Sequence, residues 1–247
     1  MSIAKRLFAA TFTVVLAASM LTLAGCQSKV PQYGREARLA LPAGMQRVWA
    51  IAPAQNISGE AGVDPLLQAD ILYSHVEQIS GVTAVPVNRA AEVMAALGLR
   101  RIESLEQAQI ICELLGVDGI IVPTVTLFDP YDPPRFGVSL QVFESTRATT
   151  LGTGNLDPRE LARMAAPTDI EPLSLPADFR QKSGVFDATN GSTRDAVAAY
   201  AAGRNDPTGP VGVRAYFLDM ERFCGFAYHE LLSGLVREMS ADRLSQR

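Results

Sequence analysis

Histidine and cysteine are scarce in this chain, two and three respectively among 247 residues. With no Cys-x-x-Cys or His-Glu-x-x-His spacing, that leaves too few ligands to read a transition-metal site from the sequence. Three cysteines also cannot form the dense framework of a small disulfide-held domain. Positive charge is not in excess: 22 Lys and Arg stand against 26 Asp and Glu, a net charge of −4. No global basic field exists to recruit nucleic acid. A glycine-rich phosphate loop is missing too, because Gly152 and Gly154 have neither its spacing nor its Lys-Ser/Thr. No Gly-x-Ser-x-Gly nucleophile elbow, internal repeat or low-complexity tract occurs. At 48% hydrophobic and 19% charged, the chain is still composed like a folded protein with a core.

The amino terminus carries an address. Lys5 and Arg6 precede an uncharged run from Leu7 to Leu23, which ends in Leu23, Ala24, Gly25 and Cys26. A basic start, an apolar middle and small residues at a cut are the layout of a secretory signal. The apolar run falls short of the ~20 residues that span a bilayer. Cysteine directly after Leu-Ala-Gly resembles the lipobox of bacterial lipoproteins. That resemblance implies cleavage before Cys26, acylation of Cys26, and attachment to a membrane through its lipid. Several acyl chains hold far more firmly than one. Cleavage would remove Lys5 and Arg6 and leave a more acidic body, so lipid rather than charge must do the anchoring. Gln27 and Ser28, with no Asp after the cysteine, favour the outer membrane over the inner, both facing the periplasm.

Beyond a tether over 26–45, hydrophobic spacing predicts one domain. Arg47 to Ala52 reads as a strand, Asn56 to Gly59 as a polar turn, and Pro65 to Ser80 as a helix. Val82 to Val87 is a second strand, at a sheet edge because of Pro86. Asn88 is the expected cap of the next helix, which Gly98 closes. Ser104 to Gln107 is a capping box, and its helix places Ala108, Ile111, Cys112 and Leu115 on one face before Gly116 stops it. Ile120 to Phe128 and Phe136 to Glu144 form a hairpin, with Pro123 implying a bulge or an edge. Residues 146–191 read as an irregular, proline-punctuated linker. A weak helix follows from Ser192. The longest helix, from Val213 to about Ala241, aligns Met220, Cys224, Ala227, Leu231 and Leu235.

The expectation is a signal peptide (1–25), the tether (26–45), an α/β domain (46–145), the linker (146–191) and a helical segment (192–247) packed back on that domain. The α/β class rests on a mixed sheet of about four strands covered by helices, plus a long amphipathic C-terminal helix. Val48 to Pro53 (VWAIAP), Asn56 to Gly59 (NISG) and Leu114 to Val122 (LLGVDGIIV) resemble a family of envelope lipoprotein domains. That family includes the curli-secretion lipoprotein, the activator lipoproteins of penicillin-binding proteins and the amino-terminal domain of the Tol-system propeller protein. The likeness covers residues 47–144 and implies an envelope module with a protein partner. Pro123 departs from the family's small residue there, and no amphipathic hairpins of a secretion pore occur.

Few residues suggest chemistry. His75 and His229 lie beside apolar helical stripes, where a partly buried structural histidine is the better reading over a general base. Asp118 reads as a turn carboxylate that accepts backbone amides. Asp129, Tyr131, Asp132 and Arg135 share a loop stiffened by Pro130, Pro133 and Pro134. Two carboxylates at that spacing would suit a glycosidase or a Ca²⁺ pair only with further ligands, so a preorganised partner-contact loop is favoured. Cys112 and Cys224 occupy apolar stripes, and the sequence leaves open whether they are bridged or are buried thiols. The sequence thus points to a non-enzymatic, lipid-anchored docking or assembly module with an envelope protein partner. It needs no cofactor, metal or nucleic acid, and self-association stays open. An enzyme of cell-wall glycan or peptide and a component of an export complex are the alternatives.

Overall fold

The computed structural model describes residues 38–145, 178–202, 204 and 210–245. The signal peptide, Cys26, most of the tether and residues 146–177 lie outside the described residues.

Strand β4 (Gly119–Asp129) is the axis of the fold. Its β-branched side chains alternate, with Ile120 and Val122 in one core and Ile121 and Val125 in the other. β1 (Arg47–Ile51) pairs with it in parallel, from Trp49 opposite Gly119 to Ile51 opposite Ile121. β3 (Val82–Val85) pairs in parallel with β1, and the two-residue β2 (Gln55–Asn56) pairs with Thr124 and Val125. On the other side, β5 (Arg135–Glu144) and β6 (Asp178–Asp187) add antiparallel strands. The sheet has six strands in the order β3-β1-β4-β5-β6, with β2 beside β4.

β3 is an edge strand, as Pro86 just beyond it required. Pro123 is at neither an edge nor a bulge. On the β1 side of β4 the pairing is interrupted between Ile121 and Thr124. Ile121 and Val125 turn their carbonyls to that side, accepting from Ala52 and Ile57. Alternation turns the nitrogen of Pro123 there as well, so its missing N–H removes no ladder bond.

Capping chemistry sets the start of two of the helices. In α1 (Pro65–Val76), Asp64 accepts from the amides of Leu66 and Leu67. In α3 (Leu105–Leu115), Ser104 Oγ accepts from Gln107 N at 3.2 Å, and Gln107 Oε1 accepts from Glu103 N at 2.7 Å. Gly116 ends α3 with φ 65° in the left-handed region. By contrast α2 (Val87–Ala96) begins one residue before Asn88, after Pro86 and without a side-chain cap. Proline's fixed φ replaces the expected asparagine cap.

Two corrections concern the C-terminal half. Residues 178–187, placed in the irregular linker, form β6 in register with all of β5. The expected final helix is divided: after α4 (Gly191–Ala202) and the short α5 (Ala215–Leu218), Asp219 turns extended and starts α6 (Met220–Ser245). Asp219 Oδ1 accepts from Glu221 N at 3.0 Å, a new N-cap. Among the described residues no helix is long and apolar enough to cross a membrane.

The layers follow from the alternation. α1, α4 and α6 cover one face with Leu72, Val76, Val197, Phe223, Phe226 and Tyr228. α2 and α3 cover the other with Ala90, Met94, Ala108, Ile111 and Leu115.

Candidate functional site

The loop between β4 and β5 holds the residues expected to contact a partner. Asp129 Oδ2 accepts from Arg135 Nη2 at 2.6 Å and Nε at 3.1 Å, while Oδ1 accepts from Tyr131 N at 3.3 Å. The Arg135 hydrogen bond holds the Asp129 carboxyl below its usual range, with Tyr131 N adding to it. A carboxylate so fixed in its ionised form is a poor general acid. Asp129 and Arg135 therefore brace the loop across its base, and Asp132 and Tyr131 stay exposed, Tyr131 at 80%. Among the described residues no three His, Cys, Asp or Glu side chains gather as a metal site.

Asp118 does accept a backbone amide, although not a local one. Its Oδ2 takes Val48 N at 2.7 Å, and its own N–H donates to Val48 O at 2.8 Å. The carboxylate thus ties the first residues of β1 to the entry of β4. It is a structural device in the Leu-Gly-Val-Asp segment.

Cys112 and Cys224 are both free and buried. α3 places Cys112 in the core on one face of the sheet, and α6 places Cys224 in the core on the other. The sheet between them rules out a bridge. Burial pushes both thiols up to about 12, so neither is a poised nucleophile.

The association that the sequence did not reveal joins the two histidines. His75 in the last turn of α1 and His229 on α6 lie with ring centroids 6.3 Å apart. Tyr200, near the end of α4, packs against His229 at 5.0 Å and His75 at 6.3 Å. The Arg204 guanidinium sits 3.8 Å over the Tyr200 ring, and its Nη1 donates to Tyr200 O at 3.2 Å. Gly225 makes the approach possible, because a Cβ there would come within 2.9 Å of His75 Nε2. His75 Nδ1 is shielded from solvent and has no hydrogen-bond partner among the described residues.

Both imidazoles are held neutral at pH 7. Burial, then His229 and Arg204, lowers His75 to about 4; burial and Arg204 lower His229 to about 4. Among the described residues neither ring hydrogen-bonds a hydroxyl, thiol or carboxylate, so no nucleophile–base pair is assembled. The group opens on a cleft of about 450 Å³ lined by Arg38, Glu77, Gln78 and Ser80 as well as by His75, His229 and Arg204. The two histidines are 154 positions apart, so no motif spacing could have found them.

No family model and no curated protein matches this chain. Among solved structures, the LpoB C-terminal domain from Salmonella enterica is similar at 13% identity and a TM-score of 0.33, over 44% of this chain and 78% of that one. Lipoprotein GNA1162 from Neisseria meningitidis is similar at 14% identity and 0.31, over 41% and 71%. The hypothetical protein CT253 from Chlamydia trachomatis is similar at 13% identity and 0.34, over 79% and 94%.

Proposed function

We propose that this chain is a lipid-anchored envelope protein, outer-membrane in preference to inner, whose α/β domain docks a protein partner and catalyses nothing itself. The observation that carries the reading is in the sequence: a basic start, an apolar run and Leu23-Ala24-Gly25 immediately before Cys26. The braced loop supports the docking part. Asp129 and Arg135 hold its base, while Tyr131 projects a large amphipathic ring into solvent. Two neutral histidines with no nucleophile beside them among the described residues, and core thiols far from ionising, support the non-catalytic part.

Mass spectrometry of the protein from its own membranes should find a diacylglyceryl group on residue 26, which Cys26→Ala removes. Crosslinking in intact cells, followed by identification of the captured chain, should then return one envelope protein, and Tyr131→Ser should reduce its yield. A mature chain beginning elsewhere without lipid would defeat the anchor. Turnover of wall fragments by the purified chain would defeat the non-catalytic reading.

A further inference from the structure

We propose that the open face of β5 and β6 is a binding site for a neutral oligosaccharide. The proposal needs neither the docking reading nor Tyr131. Side chains alternate across both strands. On β6, Arg180 and Lys182 pair with Asp242 and Glu238 of α6, and Phe186 packs on Phe226, so these residues face the larger core. Phe179, Gln181, Ser183 and Val185 therefore face the other way. α2 and α3 cover that side of the sheet over β1 and β4, and their core takes in Phe143 of β5 at its margin. Beyond the margin Phe179 is 49% and Val185 66% exposed, with Gln181 and Ser183 exposed between them.

The register orders this face into rows. Phe179 stands opposite Phe143, Gln181 opposite Gln141 and Ser183 opposite Ser139, and Thr124 of β4 extends the last row. An aromatic pair with ring centroids 5.2 Å apart is thus followed by two amides and then by three hydroxyls. No ionised side chain stands in these three rows. Charge returns two rows further on, where Arg135 lies between Asp129 and Asp187. An anion therefore finds no counter-charge on the strip.

A second copy of the chain fits it poorly as well. From Phe179 to Val185 the strip is about 20 Å long and about 10 Å across its three strands. That is about 200 Å², against roughly 800 Å² buried by each partner in a stable interface. A sugar chain of a few residues suits such an area, and open sheet faces bind oligosaccharides in OB-fold barrels. The C–H faces of a sugar pack on aromatic rings. Its hydroxyl and acetamido groups need side chains that both donate and accept, as the glutamine amides and the serine and threonine hydroxyls do. Ser139, in the middle of its row, is 9% exposed, and its Oγ has no hydrogen-bond partner among the described residues. A sugar hydroxyl over that row is the partner it lacks.

Amide NMR of the full chain in micelles of a sugar-free detergent provides the test. One series adds chitotetraose and the other adds cellotetraose. Signals of β5 and β6 should move along a saturating curve, with a dissociation constant of about 1 mM or lower. Saturation in both series supports the site, and tighter binding of chitotetraose assigns its acetamido groups to the glutamine row. Phe179→Ser and Gln181→Leu should each weaken binding at least about tenfold. Both side chains are exposed, so unfolding midpoints should change little and show that the fold survives. No saturation in either series, shifts confined to other elements, or unchanged affinity in either variant would overturn the proposal. So would shifts on the strip that follow protein concentration without sugar, the mark of a second copy.

Discussion

The Tyr228 hydroxyl donates a 3.0 Å hydrogen bond to Gln68 Oε1, joining α6 to α1 inside the larger core. Gln68 is 3% exposed, and its Nε2 donates to Cys224 Sγ at 3.7 Å. Burial holds the Tyr228 phenol well above its ordinary pKa, so it remains a donor at any physiological pH. A glutamine at this depth needs both ends satisfied, and two residues of one helix supply them.

Tyr228→Phe should therefore destabilise the chain by about 1–3 kcal/mol, because it strands the Gln68 carbonyl in apolar surroundings. Combining it with Gln68→Leu should leave the chain more stable than the sum of the single changes implies, since both polar partners are then gone. Urea unfolding of the four proteins measures the coupling. Strict additivity would mean that the bond does not bear on stability.

The two core cysteines should behave as isolated thiols. Both should resist alkylation in the native chain and react fully in denaturant, with no difference after a reducing agent. A mass increase of two alkyl groups fewer in the unreduced denatured sample would reveal a bridge, contrary to their places on opposite faces of the sheet.

Leu115 closes the smaller core at 5% exposure, beside Ile111 and Cys112. Leu115→Ala should cost about 2–5 kcal/mol in denaturant unfolding. A change below about 0.5 kcal/mol is the surface result and would contradict that packing.

What could be read from the sequence was local. The faces of α1 and α3 and the strands β1, β3, β4 and β5 follow from spacing and capping within a dozen residues. Ser104, Gln107 and Gly116 act on the amides and backbone beside them, so their roles were visible in advance. β6 was not visible, because Arg180 and Lys182 break its apolar pattern; their partners, Asp242 and Glu238, come from α6. The edge strand makes sense only with the helix that neutralises it. For the same reason the histidine cleft was hidden. His75, Tyr200 and His229 come from three helices and Arg204 from just beyond α4, and only Gly225, a small residue amid α6, hinted at close contact there.

The contact loop should prove separable from the fold. Tyr131→Ser removes a ring that is 80% exposed, so unfolding should change by no more than about 0.5 kcal/mol. Arg135→Ser also releases Asp129, whose carboxyl should then titrate closer to its ordinary range. NMR titration of Asp129 tests this directly, and an unmoved value would mean that Arg135 does not brace the loop.

The histidine pair sets how the fold responds to acid. In the unfolded chain each ring titrates near 6.5, whereas in the folded chain both titrate at about 4. Between those values the unfolded state binds more protons, so stability is fully present above pH 6.5 and is lost as the pH falls towards 4. One pKa unit corresponds to about 1.4 kcal/mol, so His75 should account for about 3 kcal/mol of loss between pH 7 and pH 4, with a smaller, solvent-screened share from the partly exposed His229. Measured urea midpoints should fall over that window, and His75→Asn should flatten the slope. Gly225→Ala tests the packing behind the shift. In an open helix this change stabilises by about 0.5–1 kcal/mol, but here the new methyl meets His75 Nε2 at 2.9 Å. It should bring no stabilisation, displace the ring towards the cleft, and raise the His75 titration as burial lessens. A stabilised Gly225→Ala protein with an unchanged His75 titration would show that the ring is not held against this glycine.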